Sequence, residues 1–242
     1  MKKIDTLSLL SGDDIPFPQA EISIHQPTLK EIGLIGESNF HVGCHFLLFD
    51  KNNLSEKDRS DLGDLSNFHI FMSVMSSQEV SHKTDVFLIL SLLFPEYEIK
   101  FEKDKILLQK EKFSSIINEQ NYEDFKNIVN QIFCLGAGDE ETVNPADALA
   151  AKIAEKIKKG KEKRMASKGQ SDKMTIYDQY VSILAVGEQK DMNSLLNYTI
   201  YQIRNEFKRF QLWDSNDIYI KAKLAGAQNL EEVDNWMEDI HP

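Results

Sequence analysis

The spacing of hydrophobic residues changes along the chain, and each change predicts a different element. Ile22 and Ile24 alternate with polar residues, which is typical of a short strand. Pro27 has no amide donor for a sheet, so we expect the strand to end there. Thr28 and Glu31 then form the pattern T-x-x-E, in which each side chain satisfies a free backbone amide at the start of a helix.

The residues after this helix start predict two successive helices. Leu29, Ile32 and Ile35 have helical spacing and should form the buried face of the first helix. Glycine weakens helices, so we expect a break near Gly36. A second helix should cover residues 39–49.

The other parts of the first half of the chain predict their secondary structure less uniformly. Residues 1–20 contain two prolines and no periodicity, which predicts an irregular N-terminal arm. The apolar run 68–75 is too short to distinguish a helix from a strand. Residues 84–94 predict a buried helix that ends before Pro95. The alternation over residues 97–109, interrupted by the charged sequence EKDK, predicts a β-hairpin.

The last third of the chain shows helical spacing only. The expected helices there cover residues 176–186, 192–212, 217–225 and a final helix that begins at Asn229 and carries Trp236.

These patterns together predict an α+β protein with three parts. Residues 1–140 should form an N-terminal mixed domain that combines a short strand and a β-hairpin with helices. Residues 141–173 should form a basic linker helix followed by a flexible stretch. Residues 174–242 should form a small helical bundle.

The charge distribution supports this division. The chain carries a net charge of -11, yet residues 144–170 contain eight Lys or Arg and only three Asp or Glu. We do not expect the acidic flanking domains to bind nucleic acid, because they would repel phosphate. The basic segment could bind nucleic acid or an acidic membrane surface, but a solvated linker, or one that docks on the acidic domains, is the preferred interpretation.

Cysteine content and hydropathy predict a cytoplasmic protein. Cys44 and Cys134 are the two cysteines, which is too few for a disulfide framework and favours a reducing compartment. The first residues lack the long apolar run of a signal peptide. The longest apolar run, residues 86–94, is too short to cross a bilayer, so no membrane partner is expected.

One histidine-rich stretch contains the residue types of a metal site. Glu37, His41, Cys44 and His45 would share one helix face and are ligand types that zinc accepts. The metalloprotease pattern H-E-x-x-H needs glutamate directly after the first histidine, where this chain has Val42. We therefore predict no metal and no other cofactor. A metal-dependent enzyme that uses Glu37, His41 and His45 stays as the last alternative.

Aromatic residues near the C-terminus are the best candidates for binding a partner. They lie close to helical spacing, which usually indicates the core of a bundle. A bundle of about 70 residues cannot bury all of them, so some apolar surface should remain for a partner helix. The predicted partner-binding residues are Tyr198, Tyr201, Phe207, Phe210, Trp213 and Trp236.

Two stretches resemble a known group of proteins. The sequence IHQPTLKEIGLIGE at 24–37, and the stretch from SILAVG to NLEEVDNW, are similar to proteins from the tail-morphogenesis regions of phages of Gram-positive bacteria. The layout resembles that of tail assembly chaperones and baseplate assembly proteins. The resemblance covers residues 20–50 and 175–240.

This resemblance implies a non-enzymatic role in the host cytoplasm. The protein would hold a hydrophobic tail component, such as the tape-measure protein, soluble until the tail tube polymerises around it. A baseplate component is the other partner that the resemblance implies. A structural subunit of the virion tail or baseplate would have a similar sequence and stays as an alternative function.

Overall fold

The computed structural model describes residues 3–76, 83–135 and 176–228, together with residues 230, 233–237 and 240. Over these ranges the protein has the α+β fold that the sequence predicts. The predicted basic linker, residues 141–173, lies outside the described residues. The division into domains therefore stays a prediction.

The described elements are helices, two short 3-10 turns and two antiparallel sheets. The helices are α1 (Thr6–Ser11), α2 (Leu29–Ile35), α3 (Glu37–Leu47), α4 (Glu56–Leu62), α5 (Asn67–Ser76), α6 (Lys83–Leu93), α7 (Tyr122–Ile132), α8 (Ile176–Gly187), α9 (Met192–Leu196) and α10 (Ile200–Leu224). The strands are β1 (Ile15–Phe17), β2 (Ile22–Ile24), β3 (Glu98–Glu102), β4 (Lys105–Lys110) and β5 (Phe113–Ile117). β1 pairs with β2, and β3, β4 and β5 form the second sheet in that order.

The N-terminal segment is more regular than the predicted irregular arm. It contains α1 and then β1, which pairs with β2 so that Ile15 lies opposite Ile24 and Phe17 lies opposite Ile22. All four of these side chains are buried. Pro16 lies within β1. Because proline is rare in strands other than edge strands, the sequence pattern does not predict a strand here.

The predicted helix start after β2 is confirmed. Thr28 Oγ1 accepts a hydrogen bond from the Glu31 amide at 3.3 Å, and the Thr28 amide donates to Glu31 Oε2 at 2.8 Å. This reciprocal pair begins α2. Gly36, with a φ of 84°, separates α2 from α3, so the expected break also occurs. A positive φ of this size suits glycine, which has no Cβ to clash.

The middle of the chain follows its predictions with one addition. The ambiguous run 68–75 is helical and belongs to α5, and α6 ends before Pro95. The β-hairpin is formed by β3 and β4, and β5 adds a third strand that the sequence analysis missed. β5 carries the buried Ser115 on its inner face, where its hydroxyl donates to the Ala20 carbonyl. Because a polar residue occupies a buried position, the alternation of apolar and polar residues that predicts a strand is incomplete in β5.

The C-terminal helices differ from the prediction. The predicted helix over 192–212 is interrupted, because α9 ends at Leu196 and Thr199 begins a new helix with Gln202. α10 then continues to Leu224 without the expected interruption before residue 217. The final helix is also wrong over the described residues, since 233–235 are not helical and Trp236 lies in a turn.

The two helix starts at Thr28 and Thr199 lie side by side. The Leu29 amide donates to the Tyr198 carbonyl at 2.9 Å, and Thr28 and Thr199 form an antiparallel β-bridge. Gln202 Nε2 also donates to the Leu10 carbonyl at 2.8 Å. One hydrophobic cluster extends from Leu9 to Ile203, so residues before and after the segment 136–175 contribute to the same core.

The packing of α3 on α6 depends on Gly43. A Cβ atom at this position would lie 2.5 Å from the Asp85 carbonyl oxygen and 2.5 Å from Ile89 Cγ1. Both distances are far below van der Waals contact, so α6 can approach α3 this closely only because the side chain is absent.

We expect Gly43→Ala to lower the free energy of unfolding by about 1–3 kcal/mol, since the two helices must separate to admit the methyl group. Urea unfolding measures this difference. Gly33→Ala in α2 is the matched control, because a Cβ there meets no atom within 4 Å. It should be neutral or stabilise by up to about 1 kcal/mol through helix propensity. Equal effects of the two variants would contradict the close packing.

Glu31 should make stability depend on pH. Burial alone would raise the pKa of Glu31, but hydrogen bonds from the Thr28 amide and hydroxyl, together with the nearby His25, hold it below the ordinary 4.5. A carboxyl whose pKa is lowered by folding stabilises the folded state above its unfolded pKa, and this contribution disappears as the pH falls through the folded pKa.

We therefore expect wild type and Glu31→Gln to differ most in free energy of unfolding near neutral pH. The difference should shrink as the pH falls from about 6 to about 3. Urea unfolding across this range tests it. Gln202→Ala is the control, because it weakens the equivalent helix start at Thr199, where the partner is neutral, and its cost should not change with pH. A difference for Glu31→Gln that is constant with pH would contradict the assignment.

Candidate protein-interaction surface

The second half of α10 extends beyond the hydrophobic core. The helix has 25 residues and is therefore about 37 Å long. Its buried residues, Ile200, Tyr201 and Ile203, all lie near its start. From residue 211 to the end of α10 at Leu224 every side chain is exposed or half-buried. Neither α10 nor any other helix in the described ranges is long and apolar enough to cross a membrane.

Three apolar residues share one face of this projecting half. Trp213 and Ile220 are each 47% exposed, and Leu224 is 82% exposed. Their spacings of seven and four residues place them within about 40° of one line along the helix. We call these three residues the apolar stripe. A helix usually turns such a stripe toward a core, so an exposed one is a candidate contact for another protein.

The structure gives different environments to the six aromatic residues that the sequence singles out. Tyr201 is buried in the core. Tyr198 and Phe207 are half-buried and pack against that core. Phe207 also stacks on Tyr180 of α8, with ring centroids 4.1 Å apart. These three rings hold α10 against its neighbours, which leaves little of their surface for a partner.

The other three aromatic residues lie farther out. Phe210 is half-buried over Gly187, where a Cβ atom would come within 2.3 Å of the ring. Trp213 is 47% exposed and Trp236 is 36% exposed. The Arg209 guanidinium donates to the Trp236 carbonyl, so the C-terminal tail returns to α10 one turn before Trp213.

Sequence reasoning missed two members of the stripe. The sequence predicts a separate helix, residues 217–225, for Ile220 and Leu224, and this division obscures their spacing from Trp213. The continuous α10 brings all three onto one line. The seven-residue and four-residue spacings were the signal that would have found them.

The flanks of the stripe carry ordered charges. Asp214 and Asp217 precede Lys221 and Lys223, so the basic residues lie at the C-terminal end that the helix dipole favours. A hydrogen bond to Asp217 raises the pKa of Lys221. The Lys223 ammonium lies 4.5 Å from the centroid of the Tyr219 ring. The exposed half of α10 is therefore amphipathic and carries opposite charges toward its two ends.

The histidine-rich face of α3 forms pairs of side chains. His41 Nε2 lies 3.1 Å from Glu37 Oε1, and the His41 ring stacks on Tyr177 with centroids 6.1 Å apart. Burial raises the pKa of the Cys44 thiol, so the sulfur stays protonated. His45 is exposed. In the part of the chain that the structure describes, no three His, Cys, Asp or Glu side chains are grouped to hold a metal ion.

A cleft of about 820 Å³ lies beside this face, between the end of α3 and α7. The buried Lys126 ammonium donates to the Phe49 carbonyl at 2.9 Å and pairs with Glu123. Burial would raise the pKa of Asp50, but a hydrogen bond from the Asn52 amide and the charge of Lys126 outweigh it and lower the pKa. These charged groups of the cleft are already paired within the fold. The apolar stripe is therefore a better candidate for a functional surface than the cleft.

Comparison with known proteins gives a match on the region that carries the stripe. A family model described as the YomV second domain matches residues 167–241. The family is of a Bacillus phage type, and the match is consistent with a phage-related protein. No curated protein and no solved structure matches the chain. The matched residues include α8, α9, α10 and the C-terminal tail.

We expect Tyr201→Ala to lower the free energy of unfolding by about 3 kcal/mol, because it opens a cavity in the core. Trp213→Ala should change it by less than about 0.5 kcal/mol, since half of that ring already faces solvent. Urea unfolding of both variants makes the comparison, and Trp236→Ala serves as a second exposed control. Similar losses for Tyr201→Ala and Trp213→Ala would mean that Trp213 belongs to the core.

Proposed function

We propose that the protein is a non-enzymatic phage tail morphogenesis protein that acts as an assembly chaperone in the host cytoplasm. It binds a hydrophobic or helical tail component, such as the tape-measure protein, and keeps that component soluble until the tail assembles. The observation that carries the proposal is the apolar stripe, which lies within the residues matched by the YomV second domain.

The geometry of the stripe suits a helical partner. An amphipathic helix laid along α10 would cover Trp213, Ile220 and Leu224 together, since they follow one line over about 16 Å. Fully burying an exposed apolar side chain contributes about 1.5–3 kcal/mol. Trp213 and Ile220 are already about half buried, so the three residues of the stripe support a reversible contact. A chaperone must release its client, and a contact of this size permits release.

The charge of the chain also supports a carrier role. A net charge of -11 opposes aggregation of the carrier and disfavours contact with nucleic acid. The acidic excess of the chain lies outside α10, which contains five Lys or Arg and three Asp or Glu.

The proposed role requires no catalytic group. The charged side chains of the cleft take part in ion pairs and hydrogen bonds that hold α3 to α7. The Cys44 thiol is buried, and a raised pKa makes it a poor nucleophile. These contacts favour a structural explanation for residues that otherwise suggest chemistry. His41→Ala should therefore leave client binding unchanged.

Co-expression with the tape-measure protein tests the proposal. The protein should increase the soluble fraction of the tape-measure protein and purify with it. Trp213→Ala should weaken capture by about tenfold, because it removes the largest side chain of the stripe. Phe113→Ala is the matched control, since this aromatic residue is 42% exposed but lies on β5. The absence of both a complex and a gain in solubility would contradict the proposal.

Mass spectrometry of purified virions distinguishes the chaperone role from the alternative role as a structural subunit. A chaperone should be absent from the mature particle, whereas a structural subunit of the tail or baseplate should be present in stoichiometric amount. Stoichiometric presence would replace the chaperone role with the structural one.

A further inference from the structure

We propose that two copies of this chain pair through the apolar stripe, with their α10 helices antiparallel about a two-fold axis. This goes beyond the proposed function, because both a chaperone and a virion subunit could form such a dimer. When no client is bound, a second copy of the same chain covers the stripe.

The spacing of the stripe allows it to pair with the same stripe of a second copy that runs in the opposite direction. In an antiparallel pair centred near residue 218, Trp213 of each copy meets Leu224 of the other copy. The two Ile220 side chains lie close to the axis, beside Asp217. The Asp217 carboxylate is already paired with Lys221, so its charge is compensated where the helices approach. The contact is self-complementary, as a two-fold interface requires.

The charges beside the stripe select the antiparallel arrangement. Asp214 and Lys221 are seven residues apart, so they lie on the same flank of α10. In an antiparallel pair this flank faces the same flank of the second copy, and Asp214 of each copy approaches Lys221 of the other. A parallel pair would instead place this flank against the opposite flank of the second copy, where Lys223 lies, so Lys221 would approach a residue of the same charge. Like charges repel, so the pattern favours the antiparallel dimer.

The C-terminal tail also carries exposed apolar residues, and one of them, Trp236, lies near the Trp213 end of the stripe. Val233, Trp236 and Met237 are 37%, 36% and 68% exposed. The hydrogen bond from Arg209 holds Trp236 beside α10, one turn before Trp213. The stripe and this tail supply far fewer side chains than the about 20–30 residues a side of a standard interface. We therefore expect a dissociation constant on the order of micromolar.

A client helix and a second copy would compete for the same stripe. Saturating client should therefore convert the dimer into complexes that contain one copy of this chain. The test of the dimer itself needs only the purified full chain. Its failure would leave the proposed function standing, and failure of the client experiments would leave the dimer standing.

Sedimentation equilibrium of the full chain measures the association. At about 0.15 M salt the mass should rise from the 27.8 kDa of one chain toward twice that value as concentration passes through the micromolar range. Ile220→Glu should weaken the dimer by about 100-fold, because it places a charge at the axis. Ile218→Glu is the matched control. It is 58% exposed but lies about 140° around the helix from Trp213, and it should not change the association.

An exchange of charges tests the orientation. Asp214→Lys and Lys221→Asp should each weaken self-association by about tenfold, because each brings like charges together twice in the dimer. An equal mixture of the two variants should recover dimerisation, since every contact between copies then joins opposite charges. Circular dichroism verifies that each variant remains folded.

Three results would overturn the proposal. The first is a wild-type chain that remains monomeric up to about 200 µM, well above the expected dissociation constant. The second is equal weakening by Ile220→Glu and Ile218→Glu. The third is a mixture of the charge variants that stays as dissociated as each variant alone.

Discussion

The backbone contact between the starts of α2 and α10 is the constraint on which the described structure depends. The Leu29 amide donates to the Tyr198 carbonyl, and Thr28 bridges Thr199. Thr199 is 2% exposed and Leu29 is 5% exposed, so this contact is shielded from water. A backbone group left unpaired there would carry the full cost of desolvation. Two segments separated by more than 160 residues are therefore fixed at one point.

Side chains complete that contact and set the direction of α10. Neighbouring helix starts place free amides close together. Glu31 accepts a hydrogen bond from the Thr28 amide, and Gln202 accepts one from the Thr199 amide. His25 lies between Asp14 and Glu31, at 2.8 Å and 3.4 Å from their carboxylate oxygens. Because the start of α10 is held in the core, its later turns must leave that core. The exposed apolar stripe is a consequence of this anchoring.

The elements that the sequence predicted well are those encoded by neighbouring residues. The T-x-x-E start, the break at Gly36 and the end of α6 before Pro95 each depend on contacts within a few residues. β1 and β5 were missed because their short strands are stabilised by pairing with β2 and β4, not by their own pattern. The interruption before Thr199 was missed although Thr199 and Gln202 form the local pattern T-x-x-Q, because the apolar helical spacing continues across it.

The sequence by itself determined an α+β chain, its acidic charge, its local helix starts and a C-terminal region rich in aromatic residues. It did not determine which of those aromatic residues face solvent. Tyr201 and Trp213 both belong to α10, yet one is buried and the other is half exposed. The difference arises because α1, α7 and α8 cover only the first part of α10, whereas its end passes beyond them. Burial depends on neighbours that are distant in the chain, so only the tertiary structure decided where the apolar stripe lies.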